Sequence, residues 1–483
     1  MASIGILVLF VLLVLVKGGT IPYISLAWSG LTILAAMVLQ AVATRHPSVQ
    51  VVKFWTRPDA LARFYLRPLF WLFLLQCWLA LQIIIGVSRD QQASIDHLLL
   101  GIGFLSFLIV LGAIEWNSSK IKQLLFGLII FASLQAVYGL WVFLTQANVI
   151  LWMEKVHYLD RPTGTLVNAN HFAAYLSLML ILLLAFFVSR QQVKVRHKKS
   201  TQVVFNLFEQ LYDVYTLCAL LFLVAIFATR SLGTIGSLLA TFLLAFMIML
   251  LGALQQKLLL KKLCFSVGIF FSLLLGIVML SDYSVLQKEL ETAAFTIERR
   301  VEISSAAVRM VLDNFFFGVG GGGFYSSFSQ YRDIDVGNSF YHFAHNDYLQ
   351  FWAEYGLVGV VLGLLFIGSC LRLNWNVLQQ SKNMYKRSFA YASLYGSFLL
   401  GLHSFVDFPL RVPAYALLYL LILCFNVVIF NAKKDRQILR GDLESNDMES
   451  HDIESNDMES HDIESNDIEK TDSIEQEGAQ QGG

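Results

Sequence analysis

Apolar stretches of about twenty residues recur about a dozen times along this chain, separated by short polar or basic connectors. A helix crossing the hydrocarbon of a bilayer needs roughly 20 such residues. The pattern therefore predicts spanning helices near 2–16, 21–43, 66–88, 97–114, 121–145, 166–188, 211–229, 233–252, 262–281, 347–371, 388–405 and 412–431. The first stretch is short, but it lacks a charged leading region and a small-residue cleavage site before Lys17. It reads as a spanning helix rather than a signal peptide. One segment breaks the pattern: residues 282–346 form a long polar island between two apolar runs. Within it, Lys288 to Leu312 carries Ile303, Ala307 and Met310 on one helical face. This predicts an amphipathic helix, either lying on a membrane surface or capping the helix bundle.

Composition supports the same class. Apolar residues make up 56% of the chain and the mean hydropathy is +0.61, above the roughly 45–50% apolar usage of soluble globules. The expected fold is an all-α polytopic membrane protein of about 12 transmembrane helices with one large outer loop. The formal net charge of zero conceals an asymmetry. Between Asp442 and Glu477 there are 15 acidic residues and one Lys, so the remainder holds 34 basic against 20 acidic residues. A basic body suits anionic lipid headgroups or phosphate-bearing ligands. Nucleic acid is not the expected partner, because the charges sit in short connectors between apolar runs. The tail repeats a ten-residue unit from Glu444 and again from Glu454. With few large apolar residues it cannot bury enough surface to fold and is expected to be disordered.

The basic connectors alternate. Arg45 to Arg67, Arg190 to Lys199, Lys257 to Lys262, Lys382 to Arg387 and Lys433 to Arg436 all follow even-numbered apolar runs. The positive-inside rule makes these cytoplasmic, which places both termini inside and the odd-numbered loops outside. The outside loops are 17–20, 89–96, 146–165, 229–231, 282–346 and 403–411. Cys77, Cys218, Cys264, Cys370 and Cys424 lie in apolar runs without paired spacing and read as buried thiols.

Polar residues capable of chemistry gather in those outer loops. Asp160, Arg161, Asn168, Asn170 and His171 stand before the sixth run; Thr229, Arg230 and Ser231 fill a very tight turn. Glu298, Arg299 and Arg300 lie in the large loop, His342 to Asp347 close it, and His403, Asp407 and Arg411 lie before the last run. Several arginines with one or two histidines are what a phosphate leaving group and a general base require. Arg offers a planar fork of donors that stays charged; His titrates near neutrality and can accept a proton from a hydroxyl. Each residue also has a plainer reading. Arg161 can anchor a helix end, Asn346 and Asp347 can cap a helix, and His171 and His403 can satisfy local hydrogen bonds. Arg230 is harder to dismiss, since its turn has almost no length.

Three motif matches carry less. Gly318-Val319-Gly320 with Gly323 fits a dinucleotide fingerprint by letter, but the flanking strand and helix are missing. A loop that lets backbone approach a ligand is the better account. Asp333-Ile334-Asp335 has the Asp-x-Asp spacing of metal-using glycosyltransferases, a spacing common by chance in polar loops. His342 and His345 with Asp347 lack an evident further zinc ligand. No metal and no cofactor is expected.

At these residues the chain resembles the bacterial O-antigen ligase and O-antigen polymerase family of membrane glycosyltransferases. The matching motifs are Arg161-Pro162-Thr163-Gly164-Thr165 with Asn170, Thr229-Arg230-Ser231, and Arg300 ahead of Gly318 to Phe324. His345-Asn346-Asp347-Tyr348-Leu349 with Glu354, Gly356 and Gly359 is the most specific, and His403 to Pro409 also fits. The resemblance covers roughly residues 160–430 and departs at Ser304, where the family often has an aromatic four residues after its loop arginine. It implies a metal-independent transferase of C-type glycosyltransferase-like fold in the bacterial inner membrane, with its active site on the periplasmic side. The donor it implies is a glycan on undecaprenyl pyrophosphate. His345 would be the base, with Arg161 and Arg230 on the pyrophosphate as the other catalytic residues. Arg300, Asn170, His342, Asn346 and Asp407 would bind substrate. The resemblance also divides the chain into N-terminal helices (1–160), a ligase/polymerase-like core (161–431) and the acidic cytoplasmic tail (432–483).

Three acceptors fit: lipid A core for a ligase, a second lipid-linked glycan for a polymerase, or a protein hydroxyl for an O-oligosaccharyltransferase. The ligase is the leading expectation. A flippase or transporter is the rival from another class, but it predicts an internal repeat and broken, charged spans, and neither is visible. A non-catalytic scaffold using the acidic tail would tolerate His345→Ala.

Overall fold

The computed structural model describes residues 2–45, 68–195, 214–253, 283–332 and 341–429. The apolar run near 262–281, the Asp333–Asp335 pair, the connectors 46–67 and 196–213 and the acidic tail lie outside these residues. Within them the chain is almost entirely helical.

The helices are α1 (Ala2–Leu15), α2 (Pro22–Arg45), α3 (Pro68–Ile84), α4 (Gln91–Ala113), α5 (Ser118–Leu144), α6 (Ala169–Val195), α7 (Val214–Ala228) and α8 (Leu232–Ala253). They continue with α9 (Tyr283–Asp313), α10 (Phe324–Phe328), α11 (Asp347–Gln380), α12 (Met384–His403) and α13 (Pro413–Ile429). Five of them, α2, α4, α5, α6 and α11, contain segments long and apolar enough to cross a membrane; α1, α3, α7, α8 and α13 are shorter apolar helices. Their starts follow local chemistry. Asp90, Asn117, Asn346 and Asn383 each accept a hydrogen bond from a backbone N–H in the first turn of the helix they open, which satisfies donors the helix itself leaves unpaired. The fourth helix starts at Gln91 rather than near 97 because Asp90 caps it.

The main core is built around α6 and α13, which are apolar on all sides and buried almost throughout. A helix without a polar face has to lie inside a bundle. α6 packs against α12, α7, α8 and α5, while α11 packs against α3, α12 and α9.

The long polar segment has a smaller core of its own. Ile303, Ala306, Ala307, Met310 and Val311 of α9 pack with Val319, Phe324, Phe328, Ala344 and Ala353. The amphipathic helix therefore seats one face on the start of α11 and the loops beside it, the capping arrangement of the two expected.

α11 is broken at Gly356, whose backbone is extended and left-handed (φ 64°, ψ −175°). Several of the freed groups find partners on other elements. Val319 and Gly320 donate their N–H to the carbonyls of Ala353 and Glu354, Leu357 N–H reaches Phe315 O, and Trp78 and Gln82 of α3 donate to the carbonyls of Tyr355 and Glu354. A Cβ on Gly318 would lie 2.3 Å from Glu354 O, and one on Gly356 only 2.2 Å from Phe316 O. Gly318 thus lets the backbone approach the broken turn of α11, while Gly320 and Gly322 lie against Ser88 and His97.

Candidate active site

Three loops bring the polar residues together. In the loop between α5 and α6, the Asp160 carboxylate lies between two arginines: Arg161 Nε at 3.9 Å and Arg230 Nη1 at 3.3 Å. Arg230 comes from the turn between α7 and α8, so two arginines 69 positions apart in the sequence share one exposed acid.

The second group joins the start of α11 to the loop after α12. His345 Nδ1 lies 3.6 Å from Asp407 Oδ1, and the imidazole stands edge-on to Phe408 at 4.8 Å. Arg300 of α9 donates through Nη1 to Val406 O, next to Asp407, and its buried Nε has no hydrogen-bond partner among the described residues. His171 packs edge-on against the opposite part of the same Phe408 neighbourhood, 5.0 Å between ring centres. Burial opposes the charge on Asp407, but the adjacent His345 and the nearby His171, His403 and Arg300 outweigh it and hold the carboxyl well below its ordinary range. Asp407 is a buried anion ringed by donors.

Tyr158 links the two groups. Its hydroxyl is pushed up by burial and by Asp407, against Arg161, Arg300 and a bond to Asn168. One phenol therefore feels a charge from each cluster. Tyr158, Arg230 and His345 all adopt left-handed backbone (φ 57°, 53° and 51°), a conformation that costs non-glycine residues of order 1–3 kcal/mol each and concentrates at functional sites.

Behind the site runs a buried polar chain. Ala344 N–H donates to Gln350 Oε1 (2.9 Å), Gln350 Nε2 to Glu354 Oε1 (3.1 Å), and Arg411 Nη1 to Glu354 Oε2 (2.5 Å). Arg411 Nε also lies 3.9 Å from Asp347 Oδ1, and Asp347 Oδ2 accepts from Ser404 Oγ and Leu410 N–H, both at 3.2 Å. Asp347 N–H closes on Ser404 O at 2.9 Å. The chain holds the residues on either side of His345 and on either side of Asp407.

The other sequence-nominated residues fall into place as follows. Asn346 caps α11 through Leu349 N–H and donates to Phe405 O. Asn170 stands in the first turn of α6, its N–H bonded to Asn168 Oδ1. His342 stacks on Tyr325 at 4.2 Å. Thr165 bonds Gln135 of α5 and Val14 O, so that part of the arginine motif fastens the loop to the bundle. Among the described residues no group of three or more His, Cys, Asp or Glu is placed to share a metal ion.

Residues 217–364 match the family model described as O-antigen ligase. The chain carries a domain of the O-antigen ligase/polymerase family. Arg230, Arg300, His342, His345 and Asn346 fall inside the matched segment, whereas Arg161, Asn170 and Asp407 lie outside it. The ion pair through Asp160 and the contact between His345 and Asp407 tie Arg161 and Asp407 to it. No curated protein matches the chain. The ligase-family segment implies glycosyltransferase-like chemistry, and five of the described helices are long and apolar enough to cross a membrane. An imidazole against a buried carboxylate can take up a proton, and neighbouring guanidiniums can hold an anion; the arrangement contains both.

Proposed function

We propose that this chain transfers an oligosaccharide or polysaccharide from undecaprenyl pyrophosphate to an acceptor hydroxyl on the periplasmic side of the bacterial inner membrane, ligating O-antigen to lipid A core. The observation that carries this reading is the His345–Asp407 pair beside Arg300, in a chain whose 217–364 segment is of the ligase family. The acceptor oxygen attacks the anomeric carbon, and His345 takes the hydroxyl proton. The bond from that carbon to the pyrophosphate breaks, and the electron pair leaves on the pyrophosphate. A pyrophosphate needs no proton to depart, so the demand is for one base and for fixed positive charge. Asp407, 3.6 Å from Nδ1, orients the imidazole. Arg161 and Arg230 bind the pyrophosphate, with Arg300 beside them. Asp160 holds those two arginines at the surface, where an ion pair contributes only about 0–1 kcal/mol, so an incoming diphosphate displaces it readily.

The same reading takes the chain as a fold of about twelve spans, like the C-type glycosyltransferases, with cytoplasmic termini. Residues 1–160 form the leading helices, 161–431 the core and 432–483 a cytoplasmic tail. Asn170, His342 and Asn346 line the path of the acceptor, and no metal takes part.

A deletion strain tests the function. Surface polymer lost while lipid-linked polymer accumulates is the ligase result. Single repeat units on lipid A core indicate a polymerase, and unglycosylated secreted protein an O-oligosaccharyltransferase. Full complementation by His345→Ala removes the catalytic reading altogether.

A further inference from the structure

We infer that the hairpin of β1 (Val149–Ile150) and β2 (Met153–Glu154) is a membrane-interface element, seated in the leaflet on the side of the site and occupied by lipid acyl chain and headgroup. α5 is a long apolar helix. Ile130, Leu134, Val137, Trp141 and Leu144 are all exposed along it, and their spacing of three or four residues makes one continuous stripe. On a membrane helix such a stripe faces lipid. The stripe does not stop at the end of the helix. Tyr138 stacks on Trp141, and its hydroxyl accepts the N–H of Leu151 at 2.7 Å. That bond docks the hairpin tip onto the lipid-facing side of α5, where Trp152 is 68% exposed.

The turn chemistry is the second observation. Ile150 pairs with Met153, leaving Leu151-Trp152 as a two-residue turn, and Leu151 is left-handed at φ 55°. Such turns favour Asn and Gly. Here two large apolar residues occupy it, one strained, and both point out while Ile150 is buried. In water that choice has a cost and no return. At the bilayer interface, where Trp is enriched, it anchors the loop. Glu154 and the exposed Asp160 lie a few residues on, and Lys155 donates to Arg161 O at 2.8 Å. The anchored hairpin therefore sets Arg161 at headgroup depth, so that a lipid-borne phosphate reaches the arginine pair without leaving the bilayer. The inference concerns any such lipid and does not require the transfer reaction.

The test uses the full chain in phospholipid nanodiscs. Trp152→Phe, otherwise unaltered, should lose part of the fluorescence quenched by lipids carrying a nitroxide near the headgroup and none of that quenched by aqueous iodide. In parallel, Trp152→Cys in a chain with its five cysteines replaced by serine receives a nitroxide label. Oxygen should relax it more than a water-soluble nickel chelate, with the reverse order for Glu154→Cys. Loss of the iodide-quenched fraction in Trp152→Phe, or equal access of the nickel chelate to positions 152 and 154, overturns the inference.

Discussion

His345 and Asp407 meet across the site although 62 positions separate them, with Nδ1 and Oδ1 3.6 Å apart. The side chain of Asp407 is almost completely buried and that of His345 about one third exposed. The carboxylate is thus on the protein side of the imidazole, which keeps part of its ring open, as a base with an acceptor in front of it needs.

His345→Ala should lower transfer by about 10²–10⁴-fold, the usual worth of a positioned base. Asp407→Asn keeps the shape but removes the charge that orients the ring, and should fall short of the full loss. Single-turnover transfer from purified lipid-linked donor measures both. Equal rates for His345→Ala and the parent protein remove the base from the scheme.

Arg161 and Arg230 are expected to act on the same group, since both contact Asp160. Each Arg→Ala change should reduce kcat by roughly 10²-fold or more, as for loss of a donor to developing charge. Arg→Lys should rescue only in part, because an ammonium lacks the planar fork. Donor titrations of the double variant should show less than the product of the two single losses; strictly multiplicative effects would argue for separate ligands.

Arg411 is the centre of the buried chain behind the site. Arg411→Met leaves Glu354 and Asp347 buried without their cation, and breaking such a pair costs about 3–5 kcal/mol. Melting of the detergent-solubilised protein should drop sharply for Arg411→Met and less for Glu354→Gln, which keeps one of the two acceptor oxygens and leaves no unpaired buried carboxylate. A double-mutant cycle on these two residues should give a coupling of roughly 0.5–3 kcal/mol. Additivity of the two changes would mean that the contact carries no energy.

Asp407 also predicts an acid limb of stability. Its carboxyl titrates below the ordinary range in the folded protein, so on acidification the unfolded chain binds the proton first. The stabilisation is complete above the unfolded value of about 3.9 and is lost as pH falls towards the folded one. Melting curves between pH 6 and 3 should show a shallower decline for Asp407→Asn than for the parent protein. Parallel declines would mean that other carboxylates set the limb.

The helices were legible because an apolar run has a length and an end. In the described residues each expected run coincides with a helix, and Asp90, Asn117, Asn346 and Asn383 mark starts that capping chemistry explains. The arginines and His345 stood out as charges at the edges of apolar runs. What the sequence hid was pairing at a distance. Glu354 reads as one acid within an apolar helix and Arg411 as a charge before the last one, and nothing in spacing announces that they meet at 2.5 Å. Asp160 was likewise visible without its bridging role. The hairpin at 149–154 gives no strand signal, since each strand has two residues and Leu151-Trp152 is the opposite of a turn sequence. The glycines of 318–323 were expected to let backbone approach a ligand; that Gly318 abuts the broken turn at Gly356 lies beyond the reach of local pattern.

The interruption at Gly356 divides labour along α11. Below it the helix is tied to α13 through Asn374, which donates to Leu423 O, and moves with the bundle when apolar helices tilt to relieve lipid mismatch. Above it, the segment from Asp347 to Tyr355 is moored to α3, to the glycine loop and to Arg411. His345 is carried by the moored part, so its distance to Asp407 is insulated from changes in bilayer thickness that an unbroken rod would transmit directly to the reacting groups.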